Sequence, residues 1–472
     1  MLFIRRFMAL ILAFIGLLGF DFSAAELNFD NAIISEKRDY CFDNDRLLIG
    51  GYNYDMAHND DTHVAYVKEA GIDFLVTSVN EEFLDRCDKA GVGVISTGYN
   101  LPFYVMTGDT TPWQTFDYCT YKDHECLWGD NLMDEPFDCM FTELGQTVAH
   151  YYENAPGKIP LINLFPIYAG DNQLGNPNTE PVLTDELDYF AFGQNDTLSM
   201  NRLEYSFYGT LGRSFARMND YTDNEVGRYV RHVNDYIDNV DTDYICVDLY
   251  PLYLSNVTGN WMRNLDILSE ACRNTNKDLW VITQAAGEVK GPARYCDRPE
   301  DIRWQMYTSL AFGAKAVIHG CYDSGWFERA SHLIDADGNR TDTYYAVQTV
   351  DNEVAPFKEL YADFDHIGTF LTNGGRATGT NSGYLTPMTE EKGCNVFTTA
   401  PVLTGCFKKE DARAYVFVNM FSPDNGKSAK LCVTFDDAEK ITVYRKGNVI
   451  RTEGNSLNLT LENNEGVFVT VE

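Results

Sequence analysis

The sequence has little positive charge. It contains 37 Lys and Arg against 70 Asp and Glu, a formal net charge of −33, and only 8 His. Such an acidic chain is repelled by phosphate backbones and anionic lipid surfaces, so nucleic-acid and membrane partners are not expected. Because 44% of the residues are hydrophobic and 14% aromatic, the acidity does not indicate disorder. The composition predicts a folded protein with an acidic, solvated surface.

A long apolar run is absent after the first 25 residues. Arg5 and Arg6 precede an apolar run from Phe7 to Phe20, which is shorter than the ~20 residues that cross a bilayer. Ser23-Ala24-Ala25 supplies the small residues that a signal peptidase needs. We therefore interpret 1–25 as a signal peptide and expect a secreted or periplasmic protein with no membrane insertion after cleavage. Glycans would be accepted at the sequons of Asn195, Asn256, Asn339 and Asn458.

Cofactor motifs are also missing. There is no GxGxxG after the first predicted strand, no GxxxxGK[ST], no CxxC pair and no Cys/His cluster with zinc spacing. We expect neither a cofactor nor a metal. A metal-dependent barrel hydrolase would need several strand-end ligands, and only one histidine, His319, falls at a predicted strand end.

The 12 cysteines are an even number, which in an oxidising compartment predicts some disulfides. Cys246 and Cys321 lie inside predicted buried strands, where a free core thiol is as plausible as a disulfide. The loops and the C-terminal region offer two candidate bridges, Cys119 with Cys126 and Cys394 with Cys406.

Short β-rich runs bounded by turn residues recur along the first three quarters of the chain. Helical patterns separate most of them, such as Thr62–Ala70, Glu81–Ala90, Trp261–Cys272 and Ile302–Phe312. Eight alternating units without hairpin signals predict a (β/α)8 barrel over 26–373. The long 170–243 stretch is expected to hold extra helices. The predicted strands are Leu47–Tyr54, Asp73–Val79, Val92–Gly98, Trp128–Asp134, Ile159–Phe165, Tyr244–Tyr250, Asp278–Gln284 and Ala316–Tyr322.

After about Gly374 the pattern changes to alternating strands with tight turns. Lys446-Gly447-Asn448 is one such turn. This pattern predicts a small antiparallel β-sandwich domain over 374–472. The predicted strands are Ala414–Asn419, Lys430–Phe435, Ile441–Arg445 and Ser456–Leu461.

The fourth predicted strand ends in Asp134-Glu135-Pro136, which places Glu135 at the carboxyl end of the barrel, where barrel enzymes carry their function. With the Arg303-Trp304-Gln305 and Ser309–Lys315 runs before strand eight, this motif resembles the clan A glycoside hydrolases, especially the β-galactosidase-like barrels. The resemblance covers about Leu47 to Trp326. It implies a glycosidase with a carbohydrate substrate, in which Glu135 protonates the glycosidic oxygen.

The partner carboxylate departs from that pattern. Clan A enzymes carry a nucleophilic glutamate after strand seven, where this sequence has Gln284, and an amide cannot attack an anomeric carbon. Two residues could take the role. Asp248 ends strand six and would be held rigidly, so we prefer it, whereas Glu288 lies in the loop after strand seven. The separation of the two carboxyl groups, which the sequence does not give, would decide between retention and inversion.

Sugar-binding residues are expected around the same rim. Planar aromatic rings would lie under the sugar, and amides and hydroxyls at its edges. Trp326 is, by the resemblance, the floor of the cleaving subsite. The alternative hypothesis is a carbohydrate-binding barrel that has lost catalysis, motivated by Gln284. The candidate substrate-binding residues are Tyr52, Asn53, Trp128, Asp134, Asn163, Tyr250, Gln284, His319 and Trp326.

Overall fold

Eight parallel strands close into a barrel in a computed structural model of the chain. They pair in chain order and β8 returns to β1, where Leu48 lies beside Ala316 and Tyr52 beside Gly320. The predicted (β/α)8 barrel is confirmed. Its strands are β1 (Leu48–Tyr52), β2 (Phe74–Thr77), β3 (Gly93–Ser96), β4 (Leu127–Asp134), β5 (Ile159–Leu164), β6 (Tyr244–Leu249), β7 (Asp278–Gln284) and β8 (Ala314–Gly320). The structure describes residues 27–97, 121–170, 174, 221–252, 260–288, 293–325, 327–376, 385–386, 388–421, 423 and 426–472.

Helices cover the outside of the barrel. The helix over Glu81–Ala90 begins after Asn80, whose side chain accepts a hydrogen bond from the Phe83 N–H, and ends at Gly91 with φ 68°. Both caps are those that the sequence predicts. The described helices are α1 (Asp61–Glu69), α2 (Glu81–Ala90), α3 (Phe141–Asn154), α4 (Tyr221–Asn239), α5 (Asn260–Thr275), α6 (Pro299–Ala311), α7 (Asp342–Val354) and α8 (Lys358–Ala362). Of the expected helices in 170–243, α4 lies within the described residues.

Inward-facing side chains fill the barrel. Aromatic and branched residues of alternate strand positions, including Phe74, Trp128 and Trp280, form a cluster separate from the outer core. Phe42 stacks on Trp128 at 4.3 Å between ring centroids and belongs to the same cluster. Because Trp128 occupies the space beside β3, a Cβ on Gly93 would lie 2.1 Å from its ring. Trp128 therefore packs inside the barrel near the start of β4, far from the carboxyl end of that strand.

An antiparallel, sandwich-like domain follows the barrel, as predicted. Its sheet begins at Asp365, ahead of the predicted boundary at 374. β10 pairs with β12 near its start and with β11 through its second half, and it pairs with β9 over most of its length, from Phe397 to Lys408. The strands are β9 (Asp365–Arg376), β10 (Cys394–Lys409), β11 (Ala412–Asn419), β12 (Ala429–Phe435), β13 (Lys440–Arg445), β14 (Asn448–Glu453), β15 (Ser456–Leu461) and β16 (Gly466–Val471).

The alternation of side chains along these strands joins the domain to the barrel. Leu403, Val416 and Phe468 face the barrel helices and belong to the main core, where Phe468 stacks on Phe357 at 5.0 Å. Their strand neighbours, such as Tyr415, face a second core within the domain. One sheet thus contributes to two cores, because successive side chains of a strand point to opposite faces.

The structure describes some of the features from which export and cysteine pairing were predicted. The segment 1–25 and the sequons at Asn195 and Asn256 lie outside the described residues, whereas Asn339 and Asn458 are exposed. Among the described helices, none is long and apolar enough to cross a membrane. Cys246 is a buried free thiol, and Cys321 is also buried. The expected bridges are not found: Cys126, Cys394 and Cys406 are free thiols, and Cys119 is outside the described residues.

Candidate active site

Three carboxyl groups meet at the carboxyl ends of β4 and β6. The register of β4 against β5 shifts between Asn131 and Met133, after which Asp134 pairs with Asn163. Such a bulge re-aims the side chains that follow it. Glu135 then leaves the strand with φ 50°, an uncommon left-handed conformation for a residue with a side chain, and its N–H donates to the Asn163 carbonyl at 2.7 Å.

Asn163 lies between two of these carboxyl groups, those of Asp134 and Asp248. Its Nδ2 donates to Asp134 Oδ1 at 2.9 Å and to Asp248 Oδ1 at 3.0 Å. Because both oxygens are within hydrogen-bond distance of one nitrogen, they lie within about 6 Å of each other. Asp134 is exposed and Asp248 is only 8% exposed. The two carboxyl groups that the sequence placed on different strands are therefore neighbours.

The electrostatics of the three groups favour their protonated forms. Burial raises the pKa of Glu135 well above its usual range, and the charges of Asp248 and Asp134 raise it further. Burial, followed by the charge of Asp134, raises the pKa of Asp248 from 3.8 to about 7, although the Asn163 amide and the Tyr250 hydroxyl act in the opposite direction. Although the Asp134 residue is exposed at the rim, desolvation by the surrounding protein atoms raises the pKa of its carboxyl group, and the hydrogen bond from Asn163 lowers it. A carboxylic acid that stays protonated near neutral pH can serve as a proton donor.

Two tyrosines and an asparagine border the carboxyl groups. The Tyr52 hydroxyl accepts a hydrogen bond from Asn131 Nδ2 at 3.1 Å. Burial raises the pKa of Tyr52 well above its usual value, and the charges of Asp134 and Asp248 add to this effect. Tyr250 packs edge-on against Phe327 at 5.3 Å between ring centroids. Tyr52 and Tyr250 are thus grouped with the carboxylates, as the sequence predicted for the rim of the barrel.

The side chain of Gln284 forms hydrogen bonds with the backbone of the loops above β7. Its Oε1 accepts from the Leu252 N–H at 2.9 Å, and its Nε2 lies within 3.1–3.2 Å of the carbonyls of Leu252, Ala286 and Arg294. The side chain is fully buried. Gln305 then holds the backbone of Gln284 through two hydrogen bonds of 2.8 Å. The expectation that Gln284 contacts a sugar is wrong, because its polar atoms are already used within the protein.

Glu288 belongs to a different local structure from the three carboxyl groups. Its N–H donates to the Ala293 carbonyl at 2.9 Å, and its Oε2 accepts from the Ala293 N–H at 3.4 Å. The charges that raise the pKa of Glu135 come from Asp248 and Asp134. Of the two candidate partners, Asp248 is thus the one whose charge acts on the pKa of Glu135.

Two further expectations need correction. Trp128 lies inside the barrel against Phe42, so it does not line the rim. His319 points into the helix layer, where its Nε2 lies 3.1 Å from both carboxylate oxygens of Asp351, and it is fully buried. The physical reason is strand alternation: Gly320, not His319, is the last inward position of β8. Trp326 falls outside the described residues.

Two asparagines near the rim, Asn53 and Asn131, do not match the expectations from the sequence. Asn53 follows β1 with φ 63°, and its Nδ2 lies beside Gly325 in the β8 loop, so it joins two loops at the rim. Asn131 was not among the candidate residues. Its signal in the sequence is a polar amide within the fourth predicted strand, three residues before Asp134. Among the described residues, no group of three or more His, Cys, Asp or Glu has an arrangement that could hold a metal ion.

Neither a protein-family model nor a curated protein sequence matches the chain. Among solved structures, one described as a glycoside hydrolase is 11% identical, with 95% of this chain and 98% of that one covered and a TM-score of 0.47. A β-galactosidase from Bacillus circulans sp. alkalophilus is 9% identical, covering 93% and 100%, with a TM-score of 0.40. An endo-β-1,4-mannanase from Thermotoga petrophila is 10% identical, covering 90% and 99%, with a TM-score of 0.37. The strand pairing establishes the barrel independently of these matches, and the function is argued from the side chains.

Proposed function

We propose that this protein is a glycoside hydrolase that cleaves O-glycosidic bonds of oligo- or polysaccharides, with Glu135 as general acid and Asp248 as the second carboxylate. One observation carries the proposal. A half-buried glutamic acid with a raised pKa faces a second carboxyl group at the carboxyl end of a barrel. Paired carboxyl groups of this kind are what glycosidic cleavage requires.

The chemistry follows from the roles of the two groups. Glu135 gives its proton to the glycosidic oxygen as the bond from that oxygen to the anomeric carbon breaks. Asp248, in its ionised form, either attacks the anomeric carbon or takes a proton from the water that attacks it. In the first route, water then attacks the anomeric carbon, gives a proton to the ionised Glu135 and releases the Asp248 carboxylate. A separation of ~5–5.5 Å between the two carboxyl groups favours the first route, with retention, and ~6.5–9.5 Å favours the second, with inversion. No cofactor enters either route.

We also propose that the enzyme is exported. An apolar N-terminal run followed by small residues supports export to the periplasm or the outside of the cell. The exposed sequons at Asn339 and Asn458 would accept glycans in a host that glycosylates.

A second candidate is a carbohydrate-binding barrel without catalysis. It is favoured by Gln284, which stands where clan A enzymes carry their nucleophile and is bonded to backbone carbonyls instead. The two candidates differ in whether substrate is turned over, so one assay separates them.

The test is hydrolysis of a panel of aryl glycosides and unactivated disaccharides, with the anomeric form of the product followed by NMR. The Glu135→Gln variant should fold normally and lose about 10²–10⁴-fold in turnover of disaccharides, because general acid catalysis contributes about that much. Glu81→Gln, an exposed glutamate in the first turn of α2, is the matched control and should keep full activity. Full activity of Glu135→Gln on disaccharides would refute the role of Glu135, and binding of sugars without turnover would favour the second candidate.

A further inference from the structure

The position of Asn163 restricts the orientation of its side-chain amide. It is 2% exposed at the end of β5, and its Nδ2 lies 2.9 Å from Asp134 Oδ1 and 3.0 Å from Asp248 Oδ1. An ionised carboxylate only accepts hydrogen bonds, so the NH2 end of the amide faces both groups when they are ionised. The Oδ1 end faces Cys246 Sγ at 3.7 Å. Each N–H of the amide thus has a carboxylate oxygen as its acceptor.

This arrangement conflicts with the expectation that Asn163 contacts a sugar, because both of its donors are already used. We propose that Asn163 is instead a positioning residue, whose amide fixes the separation of the Asp134 and Asp248 carboxyl groups and allows both to be ionised side by side. The proposal rests on the proposed glycosidase function for its catalytic meaning. Its structural part, the control of two carboxyl groups by one amide, can be measured without any activity.

The physical reason is charge repulsion in a partly desolvated site. Two carboxylate oxygens within about 6 Å repel each other strongly where water is excluded. A neutral donor between them stabilises the ionised form of each, since hydrogen bonds to a charged group favour the charge. Removing the donor leaves the repulsion and takes away the compensation. The pair should then keep a proton to higher pH.

The groups around Asp248 limit what else could titrate. Asp134 and Glu135 face it from the end of β4, Tyr52 from β1 and Tyr229 from α4, while Cys246 and Tyr250 are on its own segment. Burial raises the pKa of every one of these tyrosines and of the cysteine thiol, so they remain protonated near neutral pH. Among these groups, the three carboxyl groups are therefore the ones whose titration the experiment follows.

The experiment compares the wild type with Asn163→Leu, which has a similar volume and no donor, and with Asn163→Gln, which keeps the donor on a longer arm. Asn131→Leu is the matched control, because Asn131 donates to the Tyr52 hydroxyl and not to a carboxylate. Carboxyl ¹³C NMR titration of the aspartates is the first readout. In Asn163→Leu the apparent pKa values of the Asp134–Asp248 pair should rise by about 1 unit, Asn163→Gln should recover part of this shift, and the control should not show it.

The pH dependence of kcat is the second readout. The acidic limb should move to higher pH by about the same amount in Asn163→Leu, because the ionised form of Asp248 is the active one. An unchanged titration of the pair in a folded Asn163→Leu variant overturns the proposal. A rise in KM alone, with unchanged pH limbs, also overturns it and restores the sugar-binding role. If Asn163→Leu fails to fold, Asn163→Ser, which retains a single smaller donor, should show an upward shift, and no shift there rejects the idea. A wild type that hydrolyses no glycoside refutes the proposed function, while the NMR titration still decides the role of Asn163.

Discussion

At the scale of single residues, burial of the Asp248 carboxyl group determines both its chemistry and its cost. A carboxyl group whose pKa rises from 3.8 to about 7 on folding holds a proton in the native state over a pH range in which the unfolded chain has released it. The free energy of unfolding therefore falls as pH rises through this range. Function and stability oppose each other at this residue.

The substitution Asp248→Asn tests both effects. It should abolish turnover if Asp248 is the second carboxylate. It should also raise the free energy of unfolding by ~1–3 kcal/mol at about pH 7.5, because the buried charge is removed, and change it little at about pH 4, where the aspartic acid is already neutral. Urea unfolding at the two pH values measures this difference.

Glu288→Gln is the matched control for Asp248→Asn. Its carboxylate bonds to its own loop, so it should retain turnover and show no pH-dependent gain in stability. Near wild-type turnover of Asp248→Asn together with an inactive Glu288→Gln would transfer the catalytic role to Glu288.

At the scale of elements, the bulge in β4 and the loop above β7 decide which side chains reach the site. The register shift in β4 leaves Leu132 and Met133 both in the outer core and returns Asp134 to the barrel axis beside Asn163. Gln284 joins β7 to the loops that carry Leu252 and Arg294. These are local geometries that strand periodicity alone does not predict.

The substitution Gln284→Glu tests the role of this loop. It introduces the glutamate that clan A glycoside hydrolases carry after strand seven. It also places a carboxylate against three backbone carbonyls that receive hydrogen bonds from Gln284 in the wild type. We expect a loss of ~1–3 kcal/mol in the free energy of unfolding and no gain in turnover, because buried acceptors would lose their donor. Thermal unfolding and the glycoside assay measure the two quantities. Gln348→Glu, at a partly exposed amide with one hydrogen bond, controls for the added charge. A more active Gln284→Glu enzyme would contradict the structural role.

At the scale of the whole molecule, the barrel and the C-terminal domain share a core. Phe468 of β16 contacts Phe357, Tyr361 and Phe364 from the segment that links the two parts. We therefore expect barrel and sheet to unfold together, since a large shared apolar interface couples them.

Truncation of this aromatic contact tests the coupling. Phe468→Ala should lower the free energy of unfolding by ~3–5 kcal/mol, as for other buried phenylalanines, and should destabilise both parts in one transition. Phe397→Ala, on a strand of the same sheet but 47% exposed, should cost far less. Calorimetry and tryptophan fluorescence follow the unfolding. Two separate transitions, with the barrel unaffected by Phe468→Ala, would show that the domains are independent.

What the sequence determined by itself is the part of this structure that depends on local pattern. Alternating apolar strands and capped helices predict the barrel, and Asn80 and Gly91 mark the ends of α2, because these signals act within a few residues of the chain. The acidic residues Glu135 and Asp248 could be named for the same reason, since Glu135 directly follows a predicted strand and Asp248 lies near the end of one.

Tertiary structure alone decided how those residues face one another. Whether a strand-end side chain points into the barrel or into the helix layer depends on bulges and strand alternation. For this reason Asp134 faces the barrel axis, whereas His319 faces the helix layer. Whether an amide is free for a ligand depends on partners distant in sequence, which occupy Gln284 and Asn163. The pKa values of the three carboxyl groups depend on burial and on charges from other strands. These properties arise only when β4, β5, β6 and β7 close around one axis, since no local pattern specifies distances between segments far apart in the chain.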